Sequence, residues 1–386
     1  MHLKYNDTHI AFRSKVRDFL ENDIVPFMNV WNNQNCFPRK LFEMFSEKDI
    51  LGIMIPKEKG GLGLDFSYSF ILMEEIMKIK EPSLASSLLI QINTVCPLLY
   101  RYGSEYIHES FLKPIIRSEM VAGLAATEPE GGSDLINAIQ CYAERDGDNW
   151  VINGEKMFIT NAPIADVLIV FARTGKARVP LSMTFIAVPT STQGIEIEDQ
   201  RKLGQRASQI GKIKFKNCIV PFKNTVGKVN QGYIYFSNVF FEERLLIACG
   251  AVALAQCCFE DTVKFARSRI IGGIPLIKHQ AVAHELSFMA AELESCKAFV
   301  HKIVGQMSEG GKVDRIRTCM AKYCITEKAQ KIVKRCVQLH GSECMIEGTW
   351  MEQVMRDMRV LSVYAGSSET MRELASKSLQ KLYIKN

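Results

Sequence analysis

Three consecutive charged residues, Glu242, Glu243 and Arg244, interrupt an apolar tract that runs from Phe240 to Ile247. On a helix, such a tract holds a carboxylate beside apolar surface, where loss of hydration raises its pKa and makes it a better proton acceptor near neutral pH. The alternative is that both glutamates lie on a solvated helix face, where runs of charge are usually found. These residues alone favour the solvated face.

Three further segments carry the rest of the pattern. They are Leu124–Asp134, Lys156–Asn161 and Tyr364–Glu369. In this order and at this spacing, together with the charged tract around Glu243, they resemble the acyl-CoA dehydrogenase family of flavoenzymes.

The resemblance identifies a candidate base. Most members of that family carry the catalytic glutamate directly after the tyrosine of the C-terminal motif, where this chain has Ala365. In a branch that includes the isovaleryl- and long-chain-type enzymes, the glutamate lies on an earlier helix, immediately before an arginine. Glu243 and Arg244 match that pair, so the resemblance implies that Glu243 is catalytic and Glu242 is not.

Removal of a hydride requires a cofactor, because protein side chains cannot accept one. No G-x-G-x-x-G motif follows a predicted strand, which weakens a nicotinamide interpretation, and the resemblance implies FAD instead. The residues at the family's flavin-ring positions are Ala126, Thr127, Ser133, Phe158 and Thr160. Those that match contacts to the adenosine-diphosphate end, usually shared between subunits, are Arg269, Gln280, Gln338, Gly341, Ser367 and Glu369. Such sharing implies a homotetramer or a homodimer.

The substrate-binding positions implied by the resemblance are Ser133, Arg244, Ala365 and Gly366. Three positions depart from the family pattern. Glu130 replaces a common glycine in the flavin loop, Gly272 replaces an aromatic residue, and Ser342 replaces the second glycine after Gln338.

The resemblance implies FAD-dependent α,β-dehydrogenation of an acyl-CoA to a trans-2-enoyl-CoA. Glu243 would take the α proton, flavin N5 would accept the β hydride, and electron-transferring flavoprotein would reoxidise the flavin. Other interpretations stay open. The acyl or aminoacyl thioester could be bound to a carrier protein, the enzyme could be an oxidase or monooxygenase that uses oxygen, or the chain could be a non-catalytic assembly protein.

The elements that position these residues follow from the period of the apolar residues. Residues 1–120 have helical periodicity, residues 121–226 contain short strands separated by turns, and the remainder repeats in steps of three and four. We therefore predict an α+β, acyl-CoA dehydrogenase-like fold. It has an N-terminal helical domain (1–120), a small antiparallel β domain (121–226) and a C-terminal four-helix bundle (227–386).

Local signals give more detailed expectations. Asp7 or Thr8 is predicted to cap the first helix, and Asn153-Gly154 is predicted to form a tight turn. The strict alternation in Lys212–Lys216 predicts a strand with Ile213 and Phe215 on its buried face.

Composition excludes several classes of protein. The net charge of +6 is spread along 386 residues without a block of five like charges, which gives little support to nucleic-acid binding. The twelve cysteines contain no C-x-x-C pair, so we expect reduced thiols and no metal site. The N-terminus lacks the apolar core of a secretory signal, and no apolar run approaches the ~20 residues of a membrane span. We expect a cytoplasmic enzyme.

Overall fold

The computed structural model describes residues 3–175, 179–311 and 314–377, together with residue 379. A helical N-terminal part, a β-sheet and a second helical part follow one another along the chain. This order confirms the predicted fold class.

The N-terminal part is built from short helices that pack around an apolar core. Its α-helices are α1 (Asp7–Phe19), α2 (Val25–Gln34), α3 (Lys40–Ser46), α4 (Phe66–Lys78), α5 (Pro82–Leu89), α6 (Cys96–Tyr102), α7 (Glu105–Ile107) and α8 (Lys113–Ile116). Wider π-helical turns join several of them, at Leu20–Ile24, Ile90–Val95 and His108–Leu112. The turn between α5 and α6 is important below, because π-helical turns are frequently found at functional sites.

The cap of α1 differs from the sequence prediction. Asn6, with an extended backbone (φ −98°), is the capping residue, and its side-chain oxygen accepts a hydrogen bond from the backbone N–H of His9 at 3.0 Å. The prediction of Asp7 or Thr8 was wrong by one or two residues. Asn is as good a cap as Asp, and the Thr8 hydroxyl also lies 2.7 Å from the hydroxyl of Tyr68.

Among the described residues, the central sheet has eight strands. They are β1 (Ala122–Ala125), β2 (Tyr142–Asp146), β3 (Asn149–Thr160), β4 (Val167–Arg173), β5 (Met183–Pro189), β6 (Ile195–Asp199), β7 (Ile210–Pro221) and β8 (Thr225–Val226). Their order is β6-β7-β3-β2-β4-β5-β8, with β1 beside β4. Neighbours are antiparallel except that β4 runs parallel to β1 and, at one position, to β2. Parallel neighbours need a long connection, which the β2–β3 hairpin provides between β1 and β4.

Two local predictions for the sheet had different outcomes. The alternation in Lys212–Lys216 is confirmed, because Ile213 and Phe215 are buried within β7. The predicted turn at Asn153-Gly154 is wrong, since β3 continues through it with a shift of register between Ile152 and Gly154. Gly154 has a φ of +131°, and a Cβ there would lie 2.5 Å from Cys141 Cα. The glycine therefore serves a bulge with close backbone approach rather than a turn.

Long helices form the C-terminal part. They are α9 (Gly232–Ser268), α10 (Gln280–Ser308) and α11 (Arg315–His340), followed by the shorter α12 (Trp350–Met358) and α13 (Ser368–Ser376). A small hairpin of β9 (Ile270–Ile271) and β10 (Ile274–Pro275) joins α9 to α10. The predicted apolar face of α10 is buried at Leu286, Met289, Leu293, Cys296, Val300 and Ile303.

Two helical stretches are long and apolar enough to cross a membrane by length and composition, unlike the expectation from the sequence. They are Pro82–Tyr102 and Gly232–Ser268, and 83% and 61% of their most apolar windows are buried inside the protein. Such burial is typical of core helices. The twelve cysteines are free thiols, and most are buried.

We expect Leu293→Ala to lower the free energy of unfolding by about 2–5 kcal/mol, because it removes a buried side chain and leaves a cavity in the helical core. Leu293 is 1% exposed. Urea denaturation would measure the change. The control is Ser295→Ala, an exposed position on the same helix, which should stay within about 0.5 kcal/mol. Equal effects in the two variants would contradict the described packing of α10.

Candidate active site

Helix α9 directs its two adjacent glutamates to different surroundings. Both carboxylate oxygens of Glu242 accept hydrogen bonds from Nη2 of Arg101 in α6, at 2.7 and 2.9 Å. Glu242 is therefore held in an ion pair. Glu243 lies on a different side of the helix and lines a cavity.

The carboxylate of Glu243 has one polar side-chain partner in the described structure. Its Oε2 accepts a hydrogen bond from Oγ1 of Thr94, in the π-helical turn between α5 and α6, at 2.8 Å. Burial raises the pKa of Glu243, while the Thr94 hydrogen bond and the positive charges of Arg244 and Lys322 act in the opposite direction. A carboxyl group with a raised pKa is suited to proton transfer near neutral pH.

The cavity at Glu243 is here called the first cavity. Its wall is mainly apolar and comes from α4, α5, the π-helical turn, α9 and the segment before α13. The apolar lining residues are Met73, Met77, Pro82, Ala85, Leu89, Ile90, Leu246, Ile247, Gly250 and Leu361. Thr160 at the end of β3 also lines it, which brings one predicted flavin residue to the same cavity as the predicted base.

A second cavity is lined by Arg244 and Ala365, which directly follow Glu243 and Tyr364 of the first cavity. It contains most of the other residues predicted to contact flavin or substrate. These are Ala126, Thr127, Ser133, Arg244, Ala365 and Gly366. Glu243 and Arg244 are consecutive on α9 yet line different cavities, so the boundary between the cavities runs past this pair.

The turn at residues 364–366 is held by two cations. Arg244 Nε donates a hydrogen bond to the Ala365 carbonyl at 2.9 Å. Lys322 Nζ, on α11, donates to the carbonyls of Tyr364 at 2.9 Å and Gly366 at 2.5 Å. Ala365 has a φ of +53°, which is uncommon for a residue with a side chain. We call this arrangement the cation clamp; it holds three successive carbonyls of a strained turn.

Lys322 was missed by the sequence analysis. It is 0% exposed, and desolvation lowers its pKa to about 7. A signal was present, because Lys322 lies three residues before Ile325 and so continues the buried helical pattern of α11. A lysine in register with a buried face needs specific partners. Thr94 carried no comparable signal, because its position follows from the π-helical turn.

A buried ion pair shapes the loop after β1. Lys156 Nζ lies 2.8 Å from Glu128 Oε1 and also donates to the carbonyls of Ala126 and Phe171, at 3.0 and 2.6 Å. The Glu128 carboxylate accepts two further hydrogen bonds from backbone N–H groups at residues 140 and 141. These contacts hold the loop against β3, where the N–H of Met157 donates to the carbonyl of Thr127 at 2.9 Å.

Phe158, next to that loop, has an unusual backbone conformation and an exposed side chain. It has a φ of +59°, falls within a register shift of β3, and is 57% exposed. A planar ring stacked on this side chain would cover it, and Thr127 and Thr160 each line one of the two cavities. The residues at this place therefore fit the edge of a flavin.

The residues predicted to contact the adenosine-diphosphate end lie elsewhere. Four are exposed at the ends of long helices, namely Arg269, Gln280, Gln338 and Gly341. The ends of α9 and α11 meet where Phe265 stacks on His340 at 4.3 Å. Ser367 caps α13, and Glu369 is exposed in its first turn. The four residues at the helix ends and the two residues at the start of α13 are separate from one another in the single chain. Their role in binding the cofactor stays a prediction.

Comparison with known proteins identifies the family. Three family models match in succession, described as Acyl-CoA dehydrogenase N-terminal domain (residues 6–119), middle domain (residues 123–218) and C-terminal domain (residues 230–380). The 3-(aryl)acrylate reductase of Clostridium sporogenes (strain ATCC 15579) is 31% identical, over 98% of this chain and 100% of its own. Mitochondrial isovaleryl-CoA dehydrogenase of Oryza sativa subsp. japonica is 30% identical, over 98% of this chain and 93% of its own.

Solved structures agree with this similarity. An acyl-CoA dehydrogenase from Geobacillus kaustophilus has a TM-score of 0.94 and 29% identity, covering 98% of this chain and 100% of the other. A prolyl acyl carrier protein oxidase has a TM-score of 0.90 and 27% identity, covering 97% and 100%. The chain therefore belongs to the acyl-CoA dehydrogenase family and is an FAD-dependent oxidoreductase of that family.

Proposed function

We propose that this oxidoreductase removes hydrogen across the α and β carbons of an acyl thioester, with Glu243 as the base. One observation carries the proposal. Glu243 is a carboxylate on the wall of an apolar cavity that it shares with Thr160, whereas Glu242 is paired with Arg101. Ala365, at the position of the base in most of the family, has no group that could take a proton.

Each of the two cavities holds a different part of the substrate in this proposal. The acyl chain lies in the first cavity, the thioester at the boundary next to Glu243 and Arg244, and the pantetheine arm in the second cavity. FAD, when bound, accepts the β hydride at N5. Glu243 takes the α proton, so that a trans-2-enoyl thioester forms and the proton remains on the carboxyl group.

The cation clamp orients the turn next to the thioester. Because Arg244 and Lys322 hold the carbonyls of residues 364–366 on one side, the direction of the intervening N–H groups is also fixed. In this proposal, a main-chain amide near Ala365 donates to the thioester carbonyl and stabilises negative charge as the α proton leaves. Lys322 acts through the turn and is a positioning residue.

The carrier of the acyl group has two candidates. Coenzyme A is the carrier that the family suggests, and a carrier protein is the second, supported by the likeness to a prolyl acyl carrier protein oxidase. The net charge of +6 suits an acidic partner of either kind. The relative named as an acrylate reductase also supports an assay in the direction of enoyl reduction. Electron-transferring flavoprotein is the proposed electron acceptor, and a second subunit is proposed to complete the FAD site through Arg269 and Gln338.

We expect Glu243→Gln to retain its flavin yet to lose about 10²–10⁴-fold in the rate of flavin bleaching by substrate, because general bases contribute roughly that much. The assay is an anaerobic visible spectrum with a panel of acyl-CoAs and acyl-carrier proteins. Glu242→Gln is the matched control and should bleach at close to the wild-type rate. Normal bleaching by Glu243→Gln together with loss in Glu242→Gln would overturn the assignment of the base.

We expect the pH dependence of kcat/KM to follow the ionisation of Glu243. Activity requires the carboxylate, so kcat/KM falls as the pH drops through the raised pKa of this group. Thr94→Val removes a hydrogen bond that favours the ionised form, and the acid limb of the profile should therefore move to higher pH. Thr262→Val is the control, because its hydroxyl bonds the Cys258 carbonyl in a later part of α9. An unmoved acid limb in Thr94→Val would contradict the role of Thr94.

We expect Lys322→Met to lower kcat/KM by about 10- to 100-fold, because release of the turn misplaces the groups that face the thioester. The matched control is Lys331→Met, an exposed lysine on the same helix. Flavin content and unfolding would be measured beside the kinetics. If Lys322→Met lost stability but kept the wild-type kcat and KM, the lysine would have only a structural role.

A further inference from the structure

The first cavity contains a polar atom whose hydrogen-bonding capacity is not used. Asn93 lines this cavity and is 0% exposed. Its Nδ2 donates to Ser69 Oγ at 2.9 Å, whereas its Oδ1 has no hydrogen-bond partner. A buried acceptor without a partner is destabilising. A bound molecule with a donor would remove that cost.

Asn93 lies next to the residue that contacts the proposed base. It belongs to the π-helical turn Ile90–Val95, and the next residue, Thr94, bonds the carboxylate of Glu243. The same turn therefore supplies Thr94 to the base, and Ile90 and Asn93 to the cavity wall. In the proposed reaction Glu243 takes the α proton, so Asn93 would contact a part of the acyl chain beyond the reacting carbons.

Met73 and Met77 line the same cavity as Asn93 and cannot satisfy its oxygen. Met73 and Met77 approach Gly250 so closely that a Cβ there would lie 2.9 Å from Met73 Sδ and 3.3 Å from Met77 Cε. Thioether and methyl groups offer no N–H or O–H donor. These apolar side chains of the wall therefore leave the Asn93 oxygen without a donor.

Other polar groups of the cavity bond to one another. Ser86 Oγ donates to Gln205 Oε1 at 2.5 Å, and Gln205 Nε2 donates to the Asp357 carbonyl at 3.2 Å. Ser86 and Gln205 therefore have hydrogen-bond partners within the protein, in contrast to the oxygen of Asn93.

We propose that the acyl group carries a hydrogen-bond donor, a hydroxyl or an amine N–H, beyond its β carbon, and that this donor binds Asn93 Oδ1. The inference rests on the proposed function and names its substrate class. The enzyme acts on hydroxy- or amino-substituted acyl thioesters in preference to plain fatty acyl chains. A plain chain leaves the acceptor unpaired, so it reacts with a kcat/KM about 10- to 100-fold lower, the ratio that corresponds to the cost of an unsatisfied acceptor.

The test compares matched pairs of pantetheine thioesters, which avoid the choice between coenzyme A and a carrier protein. The pairs are γ-hydroxybutanoyl against butanoyl, δ-hydroxypentanoyl against pentanoyl, and δ-aminopentanoyl against pentanoyl. The holoenzyme should be bleached anaerobically about 10- to 100-fold more efficiently by a substituted member. Equilibrium binding to the Glu243→Gln protein gives the same comparison without turnover.

Two variants separate Asn93 from the other polar groups. Asn93→Leu should abolish the preference by losing activity with the substituted thioester and gaining it with the plain one. Ser86→Ala should keep the preference. The inference is overturned if the wild-type enzyme uses plain chains as well as substituted ones, or if Ser86→Ala rather than Asn93→Leu removes the preference. Bleaching by no thioester of either kind would instead overturn the proposed function, and this inference with it.

Discussion

The free-energy cost of removing charged side chains from water is the main constraint on the centre of this molecule. A charge removed from water without a partner costs several kcal/mol, and Glu243, Arg244 and Lys322 all lie near the boundary of the two cavities. Each has partners from another segment: Thr94 for Glu243, the Ala365 carbonyl for Arg244, and the carbonyls of Tyr364 and Gly366 for Lys322. The π-helical turn, α9, α11 and the turn before α13 must therefore come together for any of these charges to be compensated.

The geometry of α9 places its consecutive charged residues in different surroundings. Successive residues of an α-helix are separated by about 100°, so three consecutive charged residues cannot share one environment. Glu242 reaches Arg101, Glu243 the first cavity and Arg244 the second. Along α9, the change from the apolar first cavity to the more polar second cavity therefore occurs between two consecutive residues. A thioester, which joins an apolar chain to a polar arm, matches that boundary.

Much of the architecture could be predicted from the sequence because it depends on periodicity. The strand at Lys212–Lys216 and the buried face of α10 needed only the spacing of apolar residues. The misassigned features depend on information that periodicity lacks. Asn153-Gly154 has the composition of a turn, yet the approach of Cys141 makes it a bulge. Thr94 and Asn93 acquire their roles from a π-helical turn, whose wider geometry shifts side chains away from the positions that α-helical spacing implies.

The alanine at position 365 is consistent with the glutamate at position 243. Ala365 adopts a left-handed backbone conformation, which costs about 1–2 kcal/mol for a residue with a Cβ, and the cation clamp holds it there. Arg244 bonds the carbonyl of Ala365, so the turn lies directly beside the residue that follows Glu243. A carboxylate at both positions would bring two like charges to one partly desolvated boundary, and each would raise the pKa of the other. In the proposed mechanism, a neutral residue in the turn avoids this repulsion beside Glu243, and a small one leaves room for the thioester.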